Sequence, residues 1–174
     1  MSVVDIGAGS DPDSRADIAV DKVDLSTVDV VHDLEERPWP FEAASVDCLI
    51  ASHVVEHLQS PASVFEEAAR VLADDGMFEL TVPIGLDART DPTHVSEWTW
   101  DTPTYFTDDP PYEYGWGLPF ELVNRHADWW LDGPFAVGTR LIERFERQHG
   151  PGKWLSSVPG LSGELTAVYR RCPR

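Results

Sequence analysis

The chain opens on a feature that leaves few folds available: Val3-Val4-Asp5-Ile6 is a short β-branched run carrying an acid, and Gly7-Ala8-Gly9 follows it directly. Such a run fits a buried strand. A Gly-x-Gly turn at its end lets the backbone reverse tightly and approach a bound group with no Cβ in the way. The plan then repeats. Ala16 to Asp21 reads as a second strand closed by an acid, Asp29 to Leu34 as a third, and Val46 to Ser52 as a fourth with a polar end that runs into helical spacing over His53 to Leu58. Pro38-Trp39-Pro40-Phe41 interrupts as a rigid apolar turn. Ser60 before Pro61 predicts a capped helix start, with Val64, Phe65, Ala68, Ala69, Val71 and Leu72 along one face and Asp74-Asp75-Gly76 as its end. Met77 to Pro83 is a fifth strand. Strand alternating with helix or loop predicts a parallel sheet, and acids at strand ends fit ligand binding at the C-terminal edge.

The second half is built differently. A long irregular stretch runs from Ile84 to Pro119, and six of the seven tryptophans lie at or after Trp98. Phe120 to Asp132 predicts a sixth strand, Thr139 to His149 an amphipathic helix with Leu141, Ile142 and Phe145 on one side, and Gly163 to Arg171 a last strand. Strands six and seven lack a full crossover helix, which suits an antiparallel hairpin closing the sheet edge. No repeat, low-complexity tract or linker divides the chain, so residues 1–174 read as a single domain.

Composition narrows the partners. With 31 acidic and 13 basic residues the formal charge is −18, the only lysines are Lys22 and Lys153, and no basic cluster in the chain is longer than the terminal Arg170-Arg171 pair. Phosphate contacts from Lys and Arg supply much of nucleic-acid affinity, so no nucleic acid is expected as a partner. Acid spread evenly along the chain resembles proteins of salt-loving microbes, where screening shortens repulsion to about 3 Å at 1 M salt. Cys48 and Cys172 have no metal or redox spacing and read as buried free thiols. No signal peptide or membrane span is visible, and a cytoplasmic location is expected.

These residues resemble the class I S-adenosylmethionine-dependent methyltransferase superfamily, in its branch with a small "type 11" domain. Val3 to Gly9 is similar to the family's first motif, and Asp21 sits where the acid ending the second strand belongs. Asp33-Leu34, Pro40-Phe41, Ser45-Val46-Asp47, Glu56-His57-Leu58, Ala69-Arg70-Val71-Leu72 and Asp75-Gly76 follow in the family's order, over roughly residues 3–83. Asp91-Pro92-Thr93-His94 resembles a D-P-T-H segment of one subgroup. The resemblance implies a Rossmann-like α/β fold, doubly wound, with a mostly parallel sheet of about seven strands and an antiparallel last strand. It divides the domain into a cofactor-binding half (1–83) and an acceptor side (84–174). The chain departs from the pattern by starting directly at strand one, by a very short helix after the glycine turn, and by Asp75-Gly76 in place of Gly-Gly. A thinly covered flank of the pocket leaves room for a partner subunit in a homo-oligomer, or for a start codon assigned too late.

The resemblance also implies roles. Asp5 would help hold the ammonium of S-adenosylmethionine through water, and the backbone of Gly7, Ala8 and Gly9 would pass its methionine part. Asp21 would accept from both ribose hydroxyls. Asp33 would accept from the adenine amino group, with Leu34 packing on the ring, and Ser52 and His53 would lie beneath the sulfonium and carboxylate. The implied reaction is methyl transfer to a small-molecule acceptor by in-line displacement. His94 is the expected general base for an acceptor that must lose a proton, with Asp91 orienting its ring; both residues also read as pins of a loop. Glu56 and His57 are open to either an active-site or a structural role. Trp98, Trp100, Tyr105, Phe106 and Trp116 read either as an acceptor pocket or as core.

A metal site is not expected, since only His53 and His57 stand at i, i+4 and no H-E-x-x-H pattern accompanies them. A nicotinamide enzyme is disfavoured by the missing third glycine and by an Asp21 that arrives early. A non-catalytic S-adenosylmethionine-binding or scaffold protein remains the alternative to an enzyme.

Overall fold

The computed structural model describes residues 1–113, 115–131 and 161–173. Its frame is one seven-stranded sheet of order β3-β2-β1-β4-β5-β7-β6. The strands are β1 (Val3–Ile6), β2 (Ile18–Asp21), β3 (Val30–Val31), β4 (Val46–Ser52), β5 (Leu72–Gly85), β6 (Phe120–Leu131) and β7 (Leu161–Arg171). Strands β1 to β5 pair in parallel, whereas β7 lies between β5 and β6 and runs antiparallel to both. The α/β class, the strand count and the reversed last strand are as expected. The antiparallel pair closes the sheet edge as expected, with β7 beside β5 and β6 outermost. Strands from both halves share this sheet, and β5 itself runs through the expected 83/84 division.

Several boundaries move for local reasons. The third strand shrinks to two residues because Asp33 Oδ1 accepts from Glu35 N at 3.0 Å and turns the chain away. His53 to Leu58 forms no α-helix, only a 3₁₀ turn at Val55–His57: His53 sits at φ 51° before it and Leu58 is extended after it. Helix α1 (Pro61–Val71) starts as expected, with Ser60 Oγ accepting from Ser63 N. It ends sooner than expected. Leu72 already pairs with Val46, the chain passes through a left-handed Asp75, and regular pairing resumes at Met77 opposite Cys48. The stretch after β5 contains a short helix α2 (Asp87–Thr90) and a 3₁₀ turn at Thr102–Phe106. The expected helix over 139–149 and the end of the sixth strand at Asp132 lie outside the described residues. Both cysteines are free but half-buried rather than buried.

The core is aromatic where β5, β7 and α1 meet. Phe65 of α1 stacks on Phe106 at 4.4 Å and meets Phe78, Phe120 and Tyr169 edge-on. Trp98 and Phe106 are buried and stacked, and Trp100 is buried beneath Arg125. Those tryptophan-loop residues are therefore core. Among the described residues no helix is long and apolar enough to cross a membrane.

One polar network ties the Pro38–Phe41 turn to α1. Trp39 N donates to Glu67 Oε2 at 2.7 Å, Trp39 Nε1 donates to Leu34 O, and Arg70 donates to Glu67, to Phe41 O and to Trp39 O. Burial pushes Glu67 upward, but the Arg70 guanidinium and the Trp39 N–H outweigh it and hold its carboxyl below the ordinary value. Truncating Arg70 strands a carboxylate and two carbonyls, so Arg70→Ala should cost about 2–3 kcal/mol in urea unfolding. A carboxyl depressed in the native state stabilises fully above its unfolded value of about 4.3 and loses that contribution as pH falls through the lower native value. Glu67→Gln should flatten this acid limb of the stability profile; an unchanged limb would remove Glu67 as its source.

Candidate functional site

Because β1, β2, β3 and β4 are parallel, their C-terminal ends lie along one edge of the sheet, and the candidate residues collect there. After β1 the chain turns through Gly7 at φ 74° and Gly9 at φ 56°, and both Gly7 N and Ala8 N donate to Val20 O. Gly7 is required twice over: a Cβ there would adopt a left-handed backbone and lie 2.4 Å from Val54 Cγ2. Asp5, buried in β1, accepts from Asp13 N at 2.8 Å and so fastens the loop that follows. Burial raises its pKa above the ordinary carboxylate value.

A cleft of about 270 Å³ opens at this edge, lined by Gly7, Asp21, Asp33, Leu34 and His53, with Lys22, His32, Glu35, Val54, His57, Leu58 and Gln59. Five of the nine expected cofactor residues are thus on its wall; of the others, Asp5 lies in β1, Ser52 ends β4, and Ala8 and Gly9 belong to the turn after β1. Asp21 at the tip of β2 accepts from Gly9 N on one oxygen and from Val23 N on the other. Each oxygen keeps a second lone pair for a ligand. Leu34, Val54 and Leu58 supply an apolar slot beside Asp33. Polar acceptors at one end and apolar surface at the other fit a nucleoside. The motif at Glu56-His57-Leu58 carried the signal for His57 and Leu58, whereas Lys22, His32 and Glu35 are simply neighbours of acids at strand ends.

A second cleft of about 310 Å³ adjoins the first and shares His53 and His57 with it; Glu56, Asp87, Asp91, His94, Trp130 and Glu164 complete its polar and aromatic lining. His53 reaches Glu164 Oε1 with Nε2 at 3.0 Å and faces Glu56 Oε1 with Nδ1 at 3.6 Å. The Glu56 carboxylate beside it raises the His53 pKa above the ordinary imidazole value; partial burial opposes and Glu164 adds. His94 is held by Nδ1, 3.1 Å from Ala88 O, while Asp91 Oδ2 stands 3.9 Å from its Nε2. The ring is oriented by the Ala88 carbonyl. Asp91 instead accepts from Thr93 N and Thr93 Oγ1, which hold its carboxyl below the ordinary value, and Thr93 in turn contacts His57 Nδ1 at 3.0 Å. Of the aromatic residues expected in an acceptor pocket, none lines these two clefts.

The chain is similar to known methyltransferases over part of its sequence and in its fold. Residues 3–80 match the methyltransferase domain family, and no curated protein sequence matches significantly. A proposed methyltransferase from Bacillus halodurans shares the fold at TM-score 0.64, with 14% identity over 99% of this chain and 93% of that one. A chain from the complex of the Haloferax volcanii Trm112 methyltransferase activator with a proposed methyltransferase gives 0.61, with 16% identity over 99% and 83%. A SAM dependent methyltransferase from Archaeoglobus fulgidus gives 0.57, with 15% identity over 98% and 86%. At such identities the likeness is one of fold. The domain match, over residues 3–80, includes every residue that lines the first cleft.

Proposed function

We propose that this chain transfers a methyl group from S-adenosylmethionine to a small-molecule acceptor by in-line displacement. One observation carries the reading: the two clefts share His53 and His57 as a common wall, so a nucleoside cofactor in the first and an acceptor in the second meet across those side chains. The cofactor, when bound, supplies an electrophilic methyl group on a sulfonium sulfur. Asp21 offers its remaining lone pairs to the ribose hydroxyls, Asp33 accepts from the adenine amino group, and Leu34 packs on the ring. Gly7, Ala8 and Gly9 leave room for the methionine part, while Asp5 acts on its ammonium end from behind the loop. Ser52 and His53 stand at the methionine carboxylate end, where an imidazole biased toward its protonated form suits an anion.

Holding donor and acceptor in line can supply about 7–11 kcal/mol of the barrier. With Nδ1–H tied to Ala88 O, His94 keeps Nε2 as a basic atom facing the second cleft, placed for an acceptor that must lose a proton. A cleft of about 310 Å³ suits a metabolite, and a net charge of −18 opposes a polyanion. That acidity belongs to a saline habitat on this reading, and function in a cytoplasm rich in salt follows from it.

Titration calorimetry with S-adenosylhomocysteine tests the cofactor half. Asp21→Ala should weaken binding about 30- to 100-fold, the equivalent of one or two hydrogen bonds to a charged group; unchanged affinity refutes the assignment. Turnover tests the rest. With an acceptor panel, S-adenosylhomocysteine should accumulate, and His94→Ala should lower kcat by about 10²–10⁴-fold at unaltered cofactor affinity. Tight binding with no product across the panel would instead favour a non-catalytic binding protein.

A further inference from the structure

We propose that Glu56, His57 and His94 bind one divalent transition-metal ion of the zinc class in the second cleft, and that this ion coordinates the oxygen of the acceptor. The second clause rests on the acceptor reading above, whereas the ion site stands without it.

The three side chains converge from separate segments. One carboxylate oxygen of Glu56 and one ring nitrogen each of His57 and His94 lie within 4.8 Å of one another. The rings meet at 4.8 Å between centroids and 65°. Backbone bonds hold the segments in register, since Val95 N and Ser96 N both donate to Glu56 O, at 2.7 and 3.1 Å. Donor atoms sharing one ion with bonds of about 2.0–2.2 Å stand about 3–3.5 Å apart, so small side-chain rotations complete the site.

The strongest sign is Glu56. It is only 1% exposed, and neither carboxylate oxygen has a hydrogen-bond partner. His53 Nδ1 stands off at 3.6 Å from Oε1. A buried carboxylate without hydrogen bonds is strongly disfavoured unless something cationic completes its surroundings. The two imidazoles are set up for that cation. His94 Nδ1–H donates to Ala88 O. The Thr93 hydroxyl donates to Asp91 Oδ1, so its oxygen accepts from His57 Nδ1–H. Both rings are thereby fixed as the tautomer with a free lone pair on Nε2, the arrangement in which outer hydrogen bonds orient metal-binding histidines. Asp91 finds its place here as the support of Thr93.

Two nitrogens and one carboxylate suit a zinc-class ion and not calcium or magnesium, which prefer oxygen donors throughout. Three protein ligands leave a position open toward the cleft. An acceptor hydroxyl bound there would lose its proton to bulk water near neutral pH, as zinc-bound water does, and its oxygen would take the methyl carbon as the carbon–sulfur bond breaks and S-adenosylhomocysteine leaves; in the metal-loaded chain His94 is a ligand, in place of the base role it would have without the ion.

The test is a cobalt titration of the chelator-treated full chain followed by visible absorption, with zinc as competitor and metal analysis for stoichiometry. One cobalt per chain, displaced by zinc, is expected. His94→Ala and Glu56→Gln should weaken cobalt binding at least about 100-fold, and Thr93→Val, which removes the hydroxyl that joins His57 to Asp91, about 10- to 100-fold. Circular dichroism establishes that each variant is folded, and His126→Ala, at the exposed His126–Asp128 pair, should change nothing. In zinc the melting temperature should rise for the parent chain and stay level for Glu56→Gln. No saturable cobalt spectrum, or one that survives both ligand substitutions, overturns the site. S-adenosylhomocysteine titrated into the same metal-free protein separates the two readings: cobalt binding without nucleoside binding sinks the cofactor assignment alone, and the reverse sinks the ion alone.

Discussion

Parallel pairing of β1 with β2 on one side and β4 on the other is the constraint from which the site follows. Parallel strands in register end along a common edge, so Asp21, the glycine turn and His53 are brought together by main-chain hydrogen bonding before any side chain has contributed. The bonds from Gly7 N and Ala8 N to Val20 O extend that pairing past the end of β1 and bend the chain across the tip of β2. Asp21 then takes the next amide, that of Gly9. A cofactor bound here would meet a turn whose polar groups are already engaged, so little ordering entropy is left to lose.

At the neighbouring tip the chain accepts local strain. His53 is left-handed at φ 51°, a conformation that costs a residue with a Cβ about 1–2 kcal/mol. The gain is geometric. From that kink Val54 swings over Gly7, His53 reaches both clefts, and the 3₁₀ turn that follows puts Glu56 underneath and His57 alongside. An unbroken helix from His53 to Leu58 would have pointed these residues around a cylinder rather than along one wall.

The elements legible from sequence were those governed by local signals: the β-branched runs of β1, β2 and β4, and the Ser60-Pro61 start of α1. The acids at strand ends were legible for the same reason, since a polar residue closing an apolar run has to leave the core. What could not be read was decided by competition between local hydrogen bonds or by partners far along the chain. The third strand stops at Val31 because Asp33 bonds forward to Glu35 N, a choice between turn and ladder that composition does not settle. Trp98, Trp100 and Phe106 became core because Phe65 and Arg125 are there to cover them. Spacing along the chain says nothing of His57 and His94 as neighbours, because their meeting depends on where the segment after α2 crosses the turn after β4.

The two clefts consequently differ in how they are held. The first rests on strand tips, and distorting it means breaking sheet pairing. The second combines strand residues of β5, β6 and β7 with the segment carrying His94, which is joined to it through one carbonyl, Glu56 O, that receives two amides. The same residue that offers this carbonyl also buries a carboxylate with no hydrogen bond of its own. Stitching and charge thus sit on one residue: the backbone of Glu56 draws the His94 segment in, and its side chain gives that segment a reason to bring a cation. A fold that needed Glu56 only for the stitch would be served by any residue, since every residue has a carbonyl, and an apolar side chain there would be more stable. A carboxylate buried without a hydrogen bond adds nothing to that stitch, so on the proposed reading its role belongs to the second cleft and not to the sheet.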